Sequence, residues 1–308
     1  MLYLLPQLKV KGRYQEEWVT TWESELINMN ISDYKIILPY QKSYSPTNYF
    51  TNEEKAIENE LRQISILNKL VKRGDVIFWL DLDYPGFSNP FNYFLRARFG
   101  DGIRIAGLLH GAYFNRGDIW SKVDRKYFDK SIFSVVDKVI VGSRSFYNDI
   151  KNNLELSDKE LEKLVWKPFP FFYKRYTPDW EEKEKANMIV KWRKDNKIEV
   201  DGQIFNFLPK ETFLGYLSKA RVFVLEKERT DTFGYSVLEA LASGCAVKVS
   251  KKVGVLGDFD WKGVFEDGNV DVSVEDLKNF YSQNLQYFGI LEKAGREILE
   301  VVINEFKK

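Results

Sequence analysis

Short apolar runs alternate with longer amphipathic stretches through the first half of the chain. Runs of strand length that are apolar throughout predict buried β-strands, and they cover residues 2–5, 35–38, 76–80, 103–109 and 138–141. Stretches with apolar residues at helical spacing predict helices over residues 15–29, 52–71, 90–98, 124–136 and 145–153. This alternation is typical of a parallel sheet covered by helices on both faces. A further apolar run, residues 164–171, predicts a last strand that leaves the domain.

The second half continues the alternation after a highly charged segment. Residues 180–185 predict a helix with a solvated face. Farther on, the same patterns predict strands over 203–207, 221–225 and 246–250, and helices over 210–219, 274–287 and 289–306. We place the domain boundary near Phe171, so the sequence predicts one domain over residues 1–171 and a second over residues 172–308.

Composition is that of a globular protein with two domains of ordinary size. The chain has 308 residues, of which 44% are hydrophobic and 30% charged, and this length allows each domain to bury a core. A net charge of +1 gives no global field that favours nucleic acid or a membrane surface. The single Cys245 excludes intramolecular disulfides and suits a reducing compartment. No apolar run reaches the ~20 residues of a transmembrane helix, so we expect a cytoplasmic protein.

The most specific pattern lies between the runs at 221–225 and 246–250. The first run leads into a polar loop that ends in Phe233-Gly234, and a helix rich in Leu, Ala and Glu follows at once. Asp231 precedes this helix, and Glu239, eight positions after Asp231, lies within the helix. Glycine at a strand-to-helix turn lets backbone N–H groups approach an anion, and the helix N-terminus adds positive potential. The two nearby carboxylates can accept hydrogen bonds from sugar hydroxyl groups. The pattern therefore suits a nucleotide-sugar, which is a diphosphate flanked by two sugars.

This segment resembles the donor-binding motif of GT-B glycosyltransferases, of the large and mostly retaining class. Their pattern is two glutamates separated by seven residues, with Phe-Gly between them and Glu-Ala-x-Ala-x-Gly from the second glutamate onward. The matching positions are Phe233, Gly234, Glu239, Ala240, Ala242 and Gly244, whereas Asp231 replaces the first glutamate. The resemblance implies an α/β protein of GT-B fold: two Rossmann-like domains, a nucleotide-sugar cleft between them, and a last helix that can pack back on the N-terminal domain.

The same resemblance implies how a donor is held. Glu239 would bind the ribose and Asp231 the transferred sugar. The turn at Phe233 and Gly234, with the N–H groups that follow from Tyr235, would bind the phosphates. In family members a Gly-rich loop after the first strand lies near the donor, and Gly12 stands at that place in this chain.

The sequence leaves two alternatives for the basic residues that bind the diphosphate. The family supplies an Arg and a Lys just after the first strand of the second domain. If residues 188–197 form that strand and its loop, Arg193 and Lys197 are the candidates. If they form an amphipathic helix instead, the match disappears. Lys227 and Arg229, in the loop before Phe233, are the alternative phosphate partners.

Candidate catalytic residues in the N-terminal domain follow predicted strands. His110, the only histidine, ends the run at 103–109, on the edge where open α/β sheets bind ligands. The resemblance implies a sugar-hydroxyl contact in a retaining enzyme, or a general base in an inverting one, with a core position as the alternative. Asp81 and Asp83 look like the Asp-x-Asp of metal-dependent GT-A enzymes. Their place in the acceptor-side domain favours an acceptor contact or a base, Asp83 before Asp81, and otherwise they cap a turn.

Aromatic residues cluster on the loops at the same predicted edge. Flat rings stack on sugars and bases, whereas core packing is the alternative for most of them. The acceptor-side candidates are Tyr84, Phe87, Tyr113 and Phe114, with Trp120 on the same loops.

Together these features predict a hexosyltransferase that moves a sugar from a nucleotide-sugar of UDP-hexose type to an acceptor hydroxyl. The resemblance implies a retaining reaction. Neither a metal nor a cofactor beyond the donor is expected, because the helix end and basic side chains neutralise the leaving diphosphate. The acceptor is a carbohydrate, a lipid-linked sugar or nucleic acid, and the oligomeric state is open.

Two alternatives remain at this point. Phe233–Glu239 followed by Gly244-Cys245 is similar to glycosyltransferases acting on modified tRNA nucleosides or hydroxymethylated DNA bases. The near-neutral net charge argues against such an acceptor, since phosphate contacts dominate nucleic-acid binding. The second alternative is a non-catalytic GT-B subunit that binds a nucleotide-sugar or a partner protein, suggested by the shortened Asp231 and the unclear basic pair.

Overall fold

The chain folds into two compact units in the computed structural model. The structure describes residues 1–11, 13–44, 53–115, 125–195, 197–206, 208–226, 233–251, 254–266 and 268–304. The first unit comprises Met1–Phe169 together with the chain from Ala294 onward, and the second comprises Pro170–Lys293. The division after Phe169 falls two residues before the boundary expected from the sequence. Among the described residues, no helix is both long and apolar enough to cross a membrane.

The first unit is built on a parallel sheet. Its strands are β1 (Leu2–Leu5), β2 (Tyr34–Ile36), β3 (Val76–Trp79), β4 (Arg104–Leu109), β5 (Lys138–Val141) and β6 (Leu164–Trp166). They lie in the order β2-β1-β3-β4-β5-β6, and every neighbouring pair is parallel. The helices of this unit are α1 (Tyr14–Asn28), α2 (Glu53–Leu70), α3 (Ser88–Phe99), α4 (Lys126–Val135), α5 (Arg144–Asn153) and α6 (Asp158–Leu161).

Burial explains why these strands could be recognised from the sequence. Phe78 in β3, Leu108 in β4 and Ile140 in β5 are all fully buried, as expected for central parallel strands covered on both faces. A local signal fixes the start of α5. Ser143 caps α5, because its hydroxyl accepts a hydrogen bond from the N–H of Phe146 at 3.2 Å.

The second unit contains a mixed sheet. Its strands are β7 (Ile189–Trp192), β8 (Ile198–Val200), β9 (Gln203–Phe205), β10 (Val222–Leu225), β11 (Ala246–Val249) and β12 (Val264–Phe265). The order is β12-β11-β10-β7-β8-β9. The pairs from β12 to β7 are parallel, whereas β7, β8 and β9 pair antiparallel. The helices are α7 (Trp180–Lys185), α8 (Lys210–Lys219), α9 (Tyr235–Ala242), α10 (Val255–Asp258) and α11 (Val274–Asn304), and α11 belongs to the first unit from Ala294 onward.

Two expectations for the second half are decided by this sheet and its last helix. Residues 189–192 are the strand β7 and lead into a hairpin, so the helical alternative for this segment is wrong. The two predicted C-terminal helices are one helix, α11, which continues through Gly289. Phe288 and Leu291 on either side of that glycine are fully buried. Their packing offsets the ~1 kcal/mol that glycine costs in a helix.

Candidate functional site

The turn before α9 has the backbone geometry that the donor motif requires. Gly234 has φ +96° and ψ +53°, a left-handed conformation that strains any residue with a Cβ. The carbonyl of Phe233 accepts a hydrogen bond from the N–H of Val255 at 2.9 Å, and the Phe233 side chain is buried, so the turn is fixed on both sides. N–H groups in the first turn of a helix have no intrahelical acceptor. Helix starts bind anions through groups of this kind.

Glu239 lies on the buried face of α9 and takes part in a polar cluster. Its side chain is buried, and its Oε1 accepts hydrogen bonds from the Lys210 ammonium group and, at 3.3 Å, from the Tyr176 hydroxyl. Lys210 is the first residue of α8. The Tyr176 hydroxyl in turn contacts the Arg175 guanidinium. The sequence singled out Glu239 but gave no sign of Lys210 or Tyr176, because these partners come from 29 and 63 residues away.

Arg193 and Lys197 lie in the hairpin that joins β7 to β8. Arg193 donates a 2.8 Å hydrogen bond to Glu199, and Lys197 forms an ion pair of 3.0 Å with Asp195. The end of β7 lies beside the end of β10, because the N–H of Glu226 donates to the Trp192 carbonyl at 2.9 Å. Arg193 directly follows β7 and therefore lies at the same edge of the sheet as the end of β10, after which the chain continues to α9. Both cations are already paired with carboxylates of their own hairpin.

Four predicted donor residues lie outside the described residues. They are Gly12, Lys227, Arg229 and Asp231. Their donor contacts stay predictions.

In the first unit, His110 follows β4 and is held by its ring. Its Nε2 lies 2.9 Å from the Leu80 carbonyl oxygen. A carbonyl can only accept, so Nε2 carries the hydrogen and Nδ1 has the lone pair of the neutral ring. The ring packs against the side chains of Tyr14, Trp18 and Phe169, at centroid distances of 5.8, 5.2 and 4.9 Å. Burial lowers the pKa of His110 despite the opposing effect of Asp83, so the imidazole is neutral near pH 7.

Asp81 and Asp83 form a buried pair after β3. Oδ1 of Asp81 accepts hydrogen bonds from the N–H groups of Asp83 and Tyr84, both at 2.9 Å, which is the turn-capping arrangement. Oδ1 of Asp83 accepts from the N–H of His110 at 2.8 Å and thereby joins the loops after β3 and β4. Burial, followed by the neighbouring Asp83, raises the pKa of Asp81 well above its usual range. Among the described residues, no group of three or more His, Cys, Asp or Glu side chains could hold a metal ion.

A buried ion pair, Arg125 with Asp129, supports the same loops and gave no signal in the sequence. Asp129 of α4 accepts from the Arg125 guanidinium at 2.7 Å and from the N–H of Tyr113 at 2.7 Å. Arg125 also donates to the Asp83 carbonyl at 3.2 Å. Burial raises the pKa of Asp129 to about 6, although Arg125 opposes the shift. Arg125 and Asp129 are therefore positioning residues for the loops that carry Asp83 and Tyr113.

The aromatic candidates divide into packed and accessible rings. Phe114 lies 6.0 Å from Phe146 of the core, and the Tyr113 hydroxyl donates to the Asn153 carbonyl at 3.0 Å, so both are structural at least in part. Phe87, just before α3, is 41% exposed. Tyr84 is half-buried, and burial, with Glu53 and Asp81, raises its pKa to about 12. Of these four rings, Phe87 is the exposed one.

Comparison with known proteins supports the fold. No family model and no curated protein matches the sequence. HepE of Anabaena, solved with UDP and glucose, is similar with a TM-score of 0.50 and 11% identity over 99% of this chain and 97% of that one. The catalytic domain of starch synthase IV from Arabidopsis thaliana, bound to ADP and acarbose, has a TM-score of 0.55 and 9% identity over 100% and 99%. A UDP-N-acetylglucosamine 2-epimerase has a TM-score of 0.53 and 10% identity over 99% and 97%.

These similarities extend over nearly the whole chain at identities that establish architecture alone. In this chain each unit contains a sheet with parallel strands joined by helices. The protein therefore has the GT-B fold, with two α/β domains, as the sequence predicts.

Proposed function

We propose that the protein is a glycosyltransferase that transfers a hexose from a nucleotide-sugar of UDP type to an acceptor hydroxyl. The observation that carries this proposal is the geometry of α9. A left-handed Gly234 opens the helix, and a buried Glu239 lies on its inner face within reach of Lys210 and Tyr176. A helix N-terminus is an anion-binding site, and a fixed carboxylate one turn farther on suits a ribose diol.

In this proposal the second unit holds the donor. Glu239 accepts hydrogen bonds from the ribose hydroxyls, with Lys210 and Tyr176 fixing its carboxylate. The first-turn N–H groups of α9, from Tyr235, bind the diphosphate behind the turn at Phe233 and Gly234. Asp231 contacts the transferred sugar.

Cations complete the donor site in this proposal. Arg193 and Lys197 exchange their carboxylate partners for the diphosphate, or Lys227 and Arg229 serve instead, and Gly12 lies near the donor as in the resembling family. Neutralisation of the leaving diphosphate by these groups and by the helix end replaces a metal ion.

The first unit supplies groups for the acceptor. The reaction breaks the bond between the anomeric carbon and the diphosphate oxygen, forms a bond to the acceptor oxygen and releases the hydroxyl proton. His110, neutral and with its lone pair on Nδ1, binds a hydroxyl of the transferred sugar in a retaining reaction. In an inverting one it would take the acceptor proton. Asp83, whose Oδ1 accepts a hydrogen bond from the His110 N–H, is the second candidate.

The ligands of two similar structures support the donor class. HepE was solved with UDP and glucose, and starch synthase IV with ADP and acarbose. Both contain a nucleoside diphosphate, the product that a nucleotide-sugar leaves behind. Cys245 gives no support to a nucleic-acid acceptor, because it is buried and its Sγ lies 3.2 and 3.3 Å from the Leu217 and Ala220 carbonyl oxygens.

A single conservative substitution tests the donor site. Glu239→Gln keeps the shape of the side chain but removes the negative charge of the carboxylate, which accepts hydrogen bonds from the ribose hydroxyls. We expect the affinity for UDP, measured by calorimetry, to fall roughly 10- to 100-fold, the value of about 1.5–3 kcal/mol for hydrogen bonds to a charged group. The control is Glu211→Gln, which removes an exposed carboxylate next to Lys210. Unchanged UDP affinity in Glu239→Gln would sink the proposed donor site.

A further inference from the structure

Helix α3 is apolar on its outer face as well as on the face that joins the core. Pro90, Tyr93, Phe94 and Ala97 are all exposed, and their spacing of three and four residues places them along one side of the helix. Tyr93 is 47% exposed and Phe94 49%. The outer face of a helix in a globular protein is normally charged or polar, so this stripe indicates a surface that contacts something apolar.

Aromatic residues of neighbouring segments extend the stripe. Phe87, just before α3, is 41% exposed, and Tyr127, in the first turn of α4, is 83% exposed. The helices α3 and α4 lie side by side, and the hydroxyl groups of Tyr93 and Ser134 share a hydrogen bond of 2.5 Å between them. We define the α3 surface as Phe87, Pro90, Tyr93, Phe94, Ala97 and Tyr127.

Basic residues predominate on the same two helices. Helix α3 contains no Asp or Glu, and the one acidic residue of α4, Asp129, is buried. Arg98, near the end of α3, is exposed. Lys130 of α4 donates to the Glu155 backbone carbonyl at 2.7 Å, whereas the Glu155 carboxylate pairs with Lys126. Within the described part of the chain neither Arg98 nor Lys130 forms an ion pair, so the α3 surface combines apolar rings with cations.

An anionic membrane surface matches this combination. Aromatic side chains lie at the level of the lipid headgroups, and nearby Lys and Arg side chains are attracted to anionic lipids. Helices that lie in the plane of a membrane have the same apolar face with basic residues beside it. Single-stranded nucleic acid also binds aromatic and basic residues, but Pro90 and Ala97 of the stripe offer no ring for base stacking.

We propose that the α3 surface docks the first unit on an anionic lipid bilayer, with Phe94 and Tyr127 among the headgroups and Arg98 and Lys130 against the anionic lipids. Helix α3 lies on the bilayer in this arrangement, because its 12 residues are fewer than the ~20 that span a membrane. The net charge of +1 does not oppose this docking, since a bilayer contacts one face of the protein. The inference goes beyond the proposed function and does not depend on it.

Sedimentation of the full chain with lipid vesicles tests the proposal. One set of vesicles consists of phosphatidylcholine, and the other contains phosphatidylserine as well. The ring variant combines Phe94→Gln with Tyr127→Gln and removes two exposed aromatic side chains. The charge variant combines Arg98→Gln with Lys130→Gln and removes two cations at similar side-chain length.

Matched controls change exposed residues of the second unit. Leu285→Gln with Ile290→Gln is the control for the ring variant, and Lys219→Gln with Lys293→Gln is the control for the charge variant. Both controls should bind the vesicles as wild type does. Melting temperatures close to that of wild type show that the ring and charge variants fold, as expected for positions outside the core.

We expect wild type to bind the vesicles that contain phosphatidylserine more tightly than those of phosphatidylcholine alone. The charge variant should bind the anionic vesicles about 30-fold more weakly, at ~1 kcal/mol for each charge removed, and should lose this preference. The ring variant should bind both kinds of vesicle at least about tenfold more weakly, because less apolar surface leaves water.

The inference fails if wild type does not bind the anionic vesicles, or if the ring variant binds them as tightly as wild type. It also fails if wild type binds a single-stranded oligonucleotide more tightly than the vesicles, and the ring variant loses that binding. A wild-type dimer in light scattering that the ring variant converts to a monomer would assign the α3 surface to a second copy of the chain instead.

Calorimetry with UDP on the same proteins separates these outcomes from the proposed function. All variants should bind UDP as wild type does, because none of them changes a residue assigned to the donor. A wild-type protein that binds the anionic vesicles but not UDP would contradict the donor site and leave the docking surface standing.

Discussion

His110 shows how neighbouring groups set the chemistry of one side chain. The Leu80 carbonyl fixes the tautomer, three aromatic rings surround the imidazole, and the resulting burial lowers its pKa. A neutral ring with its lone pair on Nδ1 can accept a hydrogen bond from a hydroxyl group. A protonated ring cannot.

The lowered pKa of His110 predicts a pH-dependent stability. Below about pH 6.5, the ordinary pKa of histidine, the unfolded chain binds a proton at this residue that the folded protein excludes. The unfolding free energy contributed by His110 therefore falls as the pH drops through 6.5 towards the folded-state pKa, and it is fully present above 6.5.

Denaturant unfolding of wild type and His110→Gln from pH 5 to 8 measures this contribution. The difference between the two proteins isolates His110 from Glu60, Asp81 and Asp129, whose raised pKa values act in the opposite direction at acid pH. We expect wild type to lose stability relative to the variant as the pH falls. A difference that does not change with pH would contradict a buried neutral imidazole.

At the scale of the element, α9 depends on the conformation of one glycine. An added Cβ at Gly234 would lie 3.1 Å from Cγ2 of Val237, and φ is +96°. We expect Gly234→Ala to lower the unfolding free energy by about 1–2 kcal/mol and to weaken UDP binding, because the first-turn N–H groups would shift.

The matched control for this prediction is Gly215→Ala in α8. Gly215 is helical and an added Cβ meets no atom within 4 Å, so alanine should stabilise the protein by up to about 1 kcal/mol. Differential scanning calorimetry compares the two variants. Equal changes in melting temperature would contradict a strained turn at Gly234.

Elements that bury apolar residues on both faces were predictable from the sequence. The strands β1 and β5 have the predicted bounds, and β3 and β4 differ by one residue at one end, because their apolar runs are continuous. Residues 188–197 were ambiguous because their side chains also fit an amphipathic helix, and the pairing of Lys191 with Glu199 forms only across the hairpin from β7 to β8. The predicted end of a helix before Gly289 was wrong, because the burial of neighbouring side chains decides whether a glycine ends a helix.

The candidate site was predictable only where the motif is contiguous. Phe233, Gly234 and Glu239 stand in one short segment, so local geometry and burial follow from the pattern. Lys210 and Tyr176 reach Glu239 from distant segments. Arg125 donates hydrogen bonds both to Asp129 in α4 and to the Asp83 carbonyl in the loop after β3. Contacts of this kind depend on tertiary packing, which no local pattern encodes.

At the scale of the whole molecule, the fold limits the number of candidate reactions but does not identify the reaction. The GT-B architecture occurs in glycosyltransferases and in an epimerase similar to this chain, so the reaction has to be argued from side chains. In the proposed function the second unit holds the donor through Glu239, and the first unit supplies His110 and Asp83 for the acceptor. Each assignment can fail independently of the other.

The most direct measurement is the fate of a UDP-hexose incubated with the protein and a panel of saccharide acceptors, followed by mass spectrometry. The proposed function predicts that free UDP and an acceptor one hexose heavier form together, and that Glu239→Gln forms both much more slowly than Glu211→Gln. Intact UDP-hexose after incubation, or its conversion to an epimer without a heavier acceptor, would contradict a glycosyltransferase.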